Sequence, residues 1–178
     1  MRVITGKARG RKLREPAGMD IRPTTDQVKE AMFNICQFDL EGRRVLDLFG
    51  GTGQLGIEAA SRGASEVTVV DQSREALALI RENVRRAGLP VQVRQSEALS
   101  FLASCGSYDL IFLDPPYDSE LAKNALFRVK TFDKLTKGGI IICESRAETV
   151  LPELEAPYRK LREYRYGRVK LTTYTKDA

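Results

Sequence analysis

Asp114-Pro115-Pro116-Tyr117 puts a carboxylate, two prolines and an aromatic ring into four consecutive residues, directly after the apolar run Leu110-Ile111-Phe112-Leu113. Such a cluster suits chemistry on an exocyclic amine. The acid and the Pro115 carbonyl accept protons from an NH2 group, and the tyrosine covers a flat ring. The prolines remove backbone N–H donors that would compete for the same acceptors. Asp-Pro and Pro-Pro also punctuate ordinary turns, so the tetrapeptide alone leaves a purely structural reading open.

A second motif lies upstream. Val45-Leu46-Asp47-Leu48-Phe49-Gly50-Gly51-Thr52-Gly53-Gln54-Leu55-Gly56 carries a short apolar run into a glycine-rich turn and then into a helical pattern. Glycines at such a turn let a ligand approach the backbone, and the helix that follows presents unpaired N–H groups to it. Gly51, Gly53 and Gly56 satisfy G-x-G-x-x-G, a weak signal by itself. Its corroboration is Asp71, which ends the β-branched run Val67-Thr68-Val69-Val70 twenty residues after Gly51, where a carboxylate can meet ribose hydroxyls. A nucleoside-bearing cofactor is expected. Asp47 selects among such cofactors, because an acid there repels pyrophosphate but suits the ammonium and sulfonium groups of S-adenosylmethionine. A charge-assisted hydrogen bond to that ammonium would contribute about 1.5–3 kcal/mol.

With these two motifs the chain resembles the class I methyltransferases, in their amino-methylating branch. The amino end narrows the likeness: Arg2-Val3-Ile4-Thr5-Gly6-Lys7-Ala8-Arg9-Gly10-Arg11-Lys12-Leu13 leads to Arg22-Pro23-Thr24-Thr25-Asp26-Gln27-Val28-Lys29. Together with Glu58-Ala59-Ala60-Ser61-Arg62-Gly63-Ala64, this is similar, nearly end to end, to the RsmD family of bacterial 16S rRNA guanine-N2 methyltransferases. The basic start, the Arg-Pro-Thr segment and the Glu58–Ala64 segment are distinctive; the glycine turn and Asp-Pro-Pro-Tyr are shared by many methyltransferases. The resemblance implies that Asp114, Pro115, Pro116 and Tyr117 are catalytic. It implies that Asp47, Phe49, Gly50, Gly51, Thr52, Gly53, Asp71, Gln72, Glu97 and Ala98 hold S-adenosylmethionine. The guanine-N2 target and a partly or fully assembled small subunit as substrate are implied by the resemblance alone. Glu97 stands where such enzymes often place Asp for the adenine amino group, one methylene too long.

The elements that must position these residues alternate at short intervals. A strand is expected from Arg44 to Leu48, a helix from Gly53, a strand from Glu66 to Val70, and a helix from Ser73, its N-cap, to Arg86 before Gly88-Leu89-Pro90. A strand at Val91, a short helix near Ala98 to Ala103 and the strand from Tyr108 follow. A crossover helix from Leu121 to Leu135 precedes a strand opened by Gly138-Gly139. Arg162 to Tyr166 and Val169 to Thr175 then form a hairpin through Tyr166-Gly167-Arg168. The fold class is α/β: a Rossmann-like, mostly parallel, doubly wound sheet ending in an antiparallel hairpin. Asp47, Asp71 and Asp114 then fall along one rim. The expected organisation is one domain over residues 1–178, with 1–43 as a basic extension and first helix and 44–178 as the core. Thr25 reads as an N-cap, Asn34 as ambiguous, and Glu144 as a strand end facing water.

Composition fits a cytoplasmic enzyme without a metal, and a monomer is expected, although the sequence does not itself give the oligomeric state. The chain has 178 residues, 42% of them hydrophobic, and no apolar stretch near the ~20 residues that span a bilayer. Cys36, Cys105 and Cys143 are widely spaced, and the absence of histidine removes His-dependent triads and His-ligated metals. Carbon-5 methylation of a pyrimidine needs a thiol beside the base, and no Cys adjoins the Asp114 loop.

Charge is concentrated at the two ends. Residues 1–44 carry ten Lys/Arg against six acids and residues 157–178 seven against two, while the middle has twelve against sixteen. Phosphate binding is favoured over a solvated face or a disordered tail as the account of this clustering, with Lys7, Arg9, Arg11 and Lys12 as RNA contacts and Arg22 nearer the active site. Val3, Ile4 and Leu13 punctuate the basic start as a short hairpin would. The expected reaction is direct in-line transfer to an extruded base. Methylation of DNA adenine-N6 or of a protein glutamine-N5, and a non-catalytic RNA-binding assembly factor, are the competing readings.

Overall fold

The computed structural model describes residues 1–18, 21, 23–38, 40–117 and 120–177. Helix α1 (Asp26–Ile35) precedes a run of alternating strands and helices: β1 (Arg44–Asp47), α2 (Gln54–Ser61), β2 (Glu66–Asp71), α3 (Arg74–Ala87), β3 (Gln92–Gln95), α4 (Ala98–Ser104), β4 (Tyr108–Leu113) and α5 (Leu121–Thr131). The chain closes with β5 (Leu135–Arg146), β6 (Tyr158–Tyr166) and β7 (Val169–Lys176). The strands form one sheet in the order β3-β2-β1-β4-β5-β7-β6. β1 to β5 pair in parallel, whereas β7 is antiparallel to both β5 and β6.

Alternation along the strands decides which side chain enters which layer. In β4, Leu110 and Phe112 join Val28, Phe33, Leu55 and Ile80 under α1, α2 and α3, while Ile111 and Leu113 join Leu102, Ala125 and Leu126 under α4 and α5. A strand covered on both faces needs an unbroken apolar run, which is why 110–113 shows no polar alternation. The Ser73 hydroxyl accepts the Ala76 N–H at 3.3 Å, and Gly88 ends α3 with φ 69°. Both signals act as the sequence predicts.

Three boundaries differ from expectation, one of them in β6, which starts at Tyr158, four residues ahead of Arg162, because Tyr158, Arg159 and Lys160 already pair with β7. α5 stops at Thr131, four residues short of Leu135, because Asp133 turns the chain with φ 53°. β5 starts at Leu135, not at the glycines, since Leu135 already pairs with Tyr108. Gly138, with φ 76°, sits inside that strand at a register shift against β4. An irregularity with positive φ suits glycine, so here a glycine pair marks an irregular strand rather than its start.

The basic start is a hairpin. Arg2 and Lys12 form an antiparallel bridge, and Val3 N–H donates to Arg11 carbonyl at 3.0 Å. Val3, Ala8 and Leu13 pack on Ile57 and Ala87. Among the described residues, no helix is long and apolar enough to cross a membrane.

Candidate functional site

A cleft of about 730 Å³ opens beyond the carboxyl ends of β1 to β4, over the β1/β4 position where the strand order reverses. That is where an open α/β sheet places its ligands. Four segments supply its walls: Leu48–Thr52 after β1, Asp71–Ser73 after β2, Ser96–Leu99 after β3 and Asp114–Tyr117 after β4. Ile21, Pro23 and Thr24 close it from the amino-terminal segment. Phe49, Gly50, Gly51, Thr52, Asp71, Gln72, Glu97 and Ala98 therefore share one cavity with Asp114, Pro115, Pro116 and Tyr117.

Asp47 and Gly53 lie behind that wall. Gly53 has φ 81° and caps α2, and a Cβ at Gly56 would stand 2.4 Å from Val69 Cγ2. The third glycine of the motif thus lets α2 lie directly on β2. Asp47 is wholly buried beneath the turn, where its Oδ2 accepts the Gly56 N–H at 3.3 Å. Burial holds its carboxyl well above the usual range, the Asp114 and Asp71 charges push it the same way, and the Gly56 bond opposes them. Asp47 Oδ1 and Gln54 Oε1 are both buried without a hydrogen-bond partner among the described residues. Orphaned acceptors of this kind fit a cationic ligand, and Gln54, 3% exposed, also lines the cleft. Sequence reasoning did not single out Gln54, for which helix position N1 was the only available signal.

Asp71 faces the cleft and braces its floor. Its Oδ2 accepts the Gly51 N–H at 3.0 Å and its Oδ1 the Ser73 N–H at 2.9 Å, leaving lone pairs for a diol. Glu97 is occupied differently from expectation. Its carboxylate caps α4, accepting the Leu99 N–H at 2.6 Å and the Ser100 N–H at 3.1 Å. Its carboxylate is spent on the N–H groups of its own helix.

At the other end, Thr24 donates to Asp114 Oδ2 at 3.0 Å, while Thr25 caps α1 by accepting the Val28 N–H at 3.3 Å. The adjacent threonines divide the two roles. Asn34 is exposed on α1, away from the cleft lining. Glu144 does not end its strand in water: it is 4% exposed and accepts the Tyr117 hydroxyl at 3.3 Å. The Arg146 guanidinium lies 5.5 Å from the Tyr117 ring centroid, so the ring is held between an acid and a cation.

Lys7, Arg9, Arg11 and Lys12 are exposed, but the hairpin that carries them docks away from the cleft. Lys7 N–H donates to Ser61 carbonyl at 2.8 Å at the end of α2, and Arg11 reaches the Arg86 carbonyl at 3.2 Å near the end of α3. Both helices begin at the cleft, so the hairpin sits about 12 Å down α2 from it at 1.5 Å per residue. Arg22 lies outside the described residues. Beneath the hairpin, Glu58 accepts the Ile4 and Thr5 N–H groups at 2.8 and 3.0 Å and pairs with Lys29 at 3.2 Å and Arg62 at 3.0 Å.

Residues 1–175 match the family model described as Conserved hypothetical protein 95. YlbH of Bacillus subtilis is 37% identical, over 99% of both chains. Ribosomal RNA small subunit methyltransferase D of Escherichia coli is 34% identical over 100% of this chain and 91% of its own length. The solved structure of Escherichia coli YhhF superposes with a TM-score of 0.89 at 34% identity, covering 100% of this chain and 98% of that one. Likeness over so much of the length, joined to a doubly wound sheet with its cleft at the reversal point, shows that the chain belongs to the RsmD family and is a class I, S-adenosylmethionine-dependent methyltransferase.

Proposed function

We propose that the protein methylates the exocyclic N2 amine of a guanine in small-subunit (16S) rRNA. The observation that carries this reading is the opposition, across one cleft, of an amine-accepting lip at Asp114–Tyr117 and a nucleoside-type floor at Gly51 and Asp71. The activity named for the Escherichia coli relative supports rRNA as substrate, and the guanine-N2 position follows from the family resemblance.

When bound, S-adenosylmethionine supplies an electrophilic methyl group whose carbon–sulfur bond breaks as the nitrogen–carbon bond forms, leaving S-adenosylhomocysteine. The protein aligns and shields. Gln54 would offer its unpartnered Oε1 to the cationic end of the donor, Asp47 would act on that end through its charge from behind the wall, and Asp71 would receive the ribose hydroxyls. Thr24 holds one Asp114 oxygen, which orients the carboxylate to accept an N–H of the target amine and to take the proton that the amine sheds. The Pro115 carbonyl accepts the other N–H, drawing the nitrogen lone pair out of conjugation with the ring. Tyr117 covers the extruded base, worth about 1–3 kcal/mol by stacking.

The test follows labelled methyl from S-adenosylmethionine into 16S rRNA, assembled small subunits, DNA and a glutamine-bearing protein substrate. Label is expected in the RNA, mapping by mass to N2 of a guanine. Asp114→Ala should lower turnover by about 10²-fold or more, with RNA affinity little changed. Equal turnover in that variant, or label confined to DNA or protein, overturns the reading.

A further inference from the structure

A second basic surface adjoins the cleft on its β5 side. Arg146, the last residue of β5, pairs with Val169 at the start of β7, and the Ala147 N–H donates to the Arg168 carbonyl at 2.9 Å. The turn at 166–168 is thereby pinned beside the end of β5, where Arg146 lines the cleft. Gly167 at its tip has φ 61° with nothing within 4 Å of an added Cβ, so the tip projects freely.

The hairpin is unusually poor in acid. Glu163 is the one acid between Tyr158 and Lys176, and it faces Lys160 at 3.8 Å and Lys170 at 3.5 Å, while Arg159 pairs with Asp177 at 2.7 Å. Arg162, Arg165 and Arg168 are exposed and have no ionic partner among the described residues. Half-buried Tyr164 and Tyr166 interleave with them. The tyrosines turn the other way, onto the cluster that holds Val28, Phe33 and Leu171, which leaves the arginines as exposed forked donors of the kind that phosphates take. The amino-terminal hairpin cannot serve here, because it docks at the far ends of α2 and α3. Phosphates flanking an extruded base must pass the rim itself.

We infer that Arg165 and Arg168, with Arg146 at the cleft edge, hold the RNA phosphates that flank the target nucleotide. This deepens the proposed rRNA reading and rests on it. The test uses the full chain with Arg165→Gln/Arg168→Gln and with Arg168→Gln alone. It titrates 16S rRNA across a range of salt, measures KM and kcat for methyl transfer, and follows S-adenosylmethionine uptake by calorimetry. In the double variant the slope of log affinity against log salt should shrink by about 1.4, and in the single variant by about 0.7, at about 0.7 per single-strand phosphate contact. KM for RNA should rise about tenfold with kcat and donor affinity nearly unchanged. A wild-type slope and KM in the double variant, with donor uptake intact, overturn the inference while the proposed function stands. Wild-type protein that neither binds nor methylates the RNA overturns both.

Discussion

Asp47 is a carboxylate placed where water does not reach it, with one oxygen bonded to Gly56 and the other bonded to nothing among the described residues. Its proton affinity is raised chiefly by burial and then by Asp114 and Asp71. The folded chain therefore holds a proton that the unfolded chain releases, and stability falls as pH rises from the ordinary carboxylate range through the raised value. Ligand affinity should run the other way over the same window, because a cation binds the ionised form. Asp47→Asn removes the ionisable group but keeps an acceptor for Gly56. The ligand-free variant should melt higher than wild type at neutral pH, by about 2–4 °C for each kcal/mol relieved, and this advantage should vanish in acid. The same variant should lose most of its calorimetric affinity for S-adenosylmethionine. A melting temperature that tracks wild type at every pH would remove the argument. The identity of this acid was legible in the sequence; its position behind the cleft was not, because which side of a glycine turn an acid takes depends on the packing of Gly56 against Val69.

Among elements, α2 links the cleft to the basic hairpin. Its amino end carries Gln54 at the cleft, and its carboxyl end carries Glu58 and Ser61, which hold the basic hairpin. Glu58 and the Lys29 side chain are both fully buried. Burial lowers the Lys29 proton affinity, and Glu58 opposes that shift. Glu58→Ala leaves Lys29 without its counter-charge and two hairpin N–H groups without an acceptor. Breaking one half of a buried pair costs about 3–5 kcal/mol. Urea unfolding should show a loss of that size, and the Ile4 and Thr5 amides should lose hydrogen-exchange protection, with a milder effect in Glu58→Gln. Protected hairpin amides in Glu58→Ala would show that packing of Val3 and Leu13 suffices to dock it. The segment Glu58–Ala64 was visible only as a family signature, since its partners lie 53 and 54 residues away and no local periodicity reports such a contact. Most strands and helices were legible, because their apolar runs and caps are local. The start of β5 was not, since pairing with Tyr108 extended it through two glycines.

At the scale of the whole molecule, the positive charge falls on two separated surfaces, and the separation has a measurable consequence. Lys7 and Arg9 project from a hairpin fixed to the ends of α2 and α3, and Arg11 is tethered through one nitrogen to the Arg86 carbonyl but keeps further donors. Charges about 12 Å or more from the proposed target base would add affinity by displacing counterions from an RNA helix or strand, without aligning the amine. Lys7→Gln/Arg9→Gln/Arg11→Gln should therefore weaken rRNA binding at low salt and flatten its salt dependence by about 2 in slope. It should raise KM and leave kcat at saturating RNA close to wild type. Asp114→Ala should do the reverse, losing kcat with the salt slope unchanged. Surfaces this far apart with no shared partners should combine additively to within about 0.5 kcal/mol, so joining the two sets of changes should give the sum of their effects on binding. An unchanged slope in the triple variant would mean that the hairpin serves the fold through Glu58 and that its charges are solvated. A kcat that falls together with the slope would mean instead that docking of this arm is transmitted through α2 to the glycine turn.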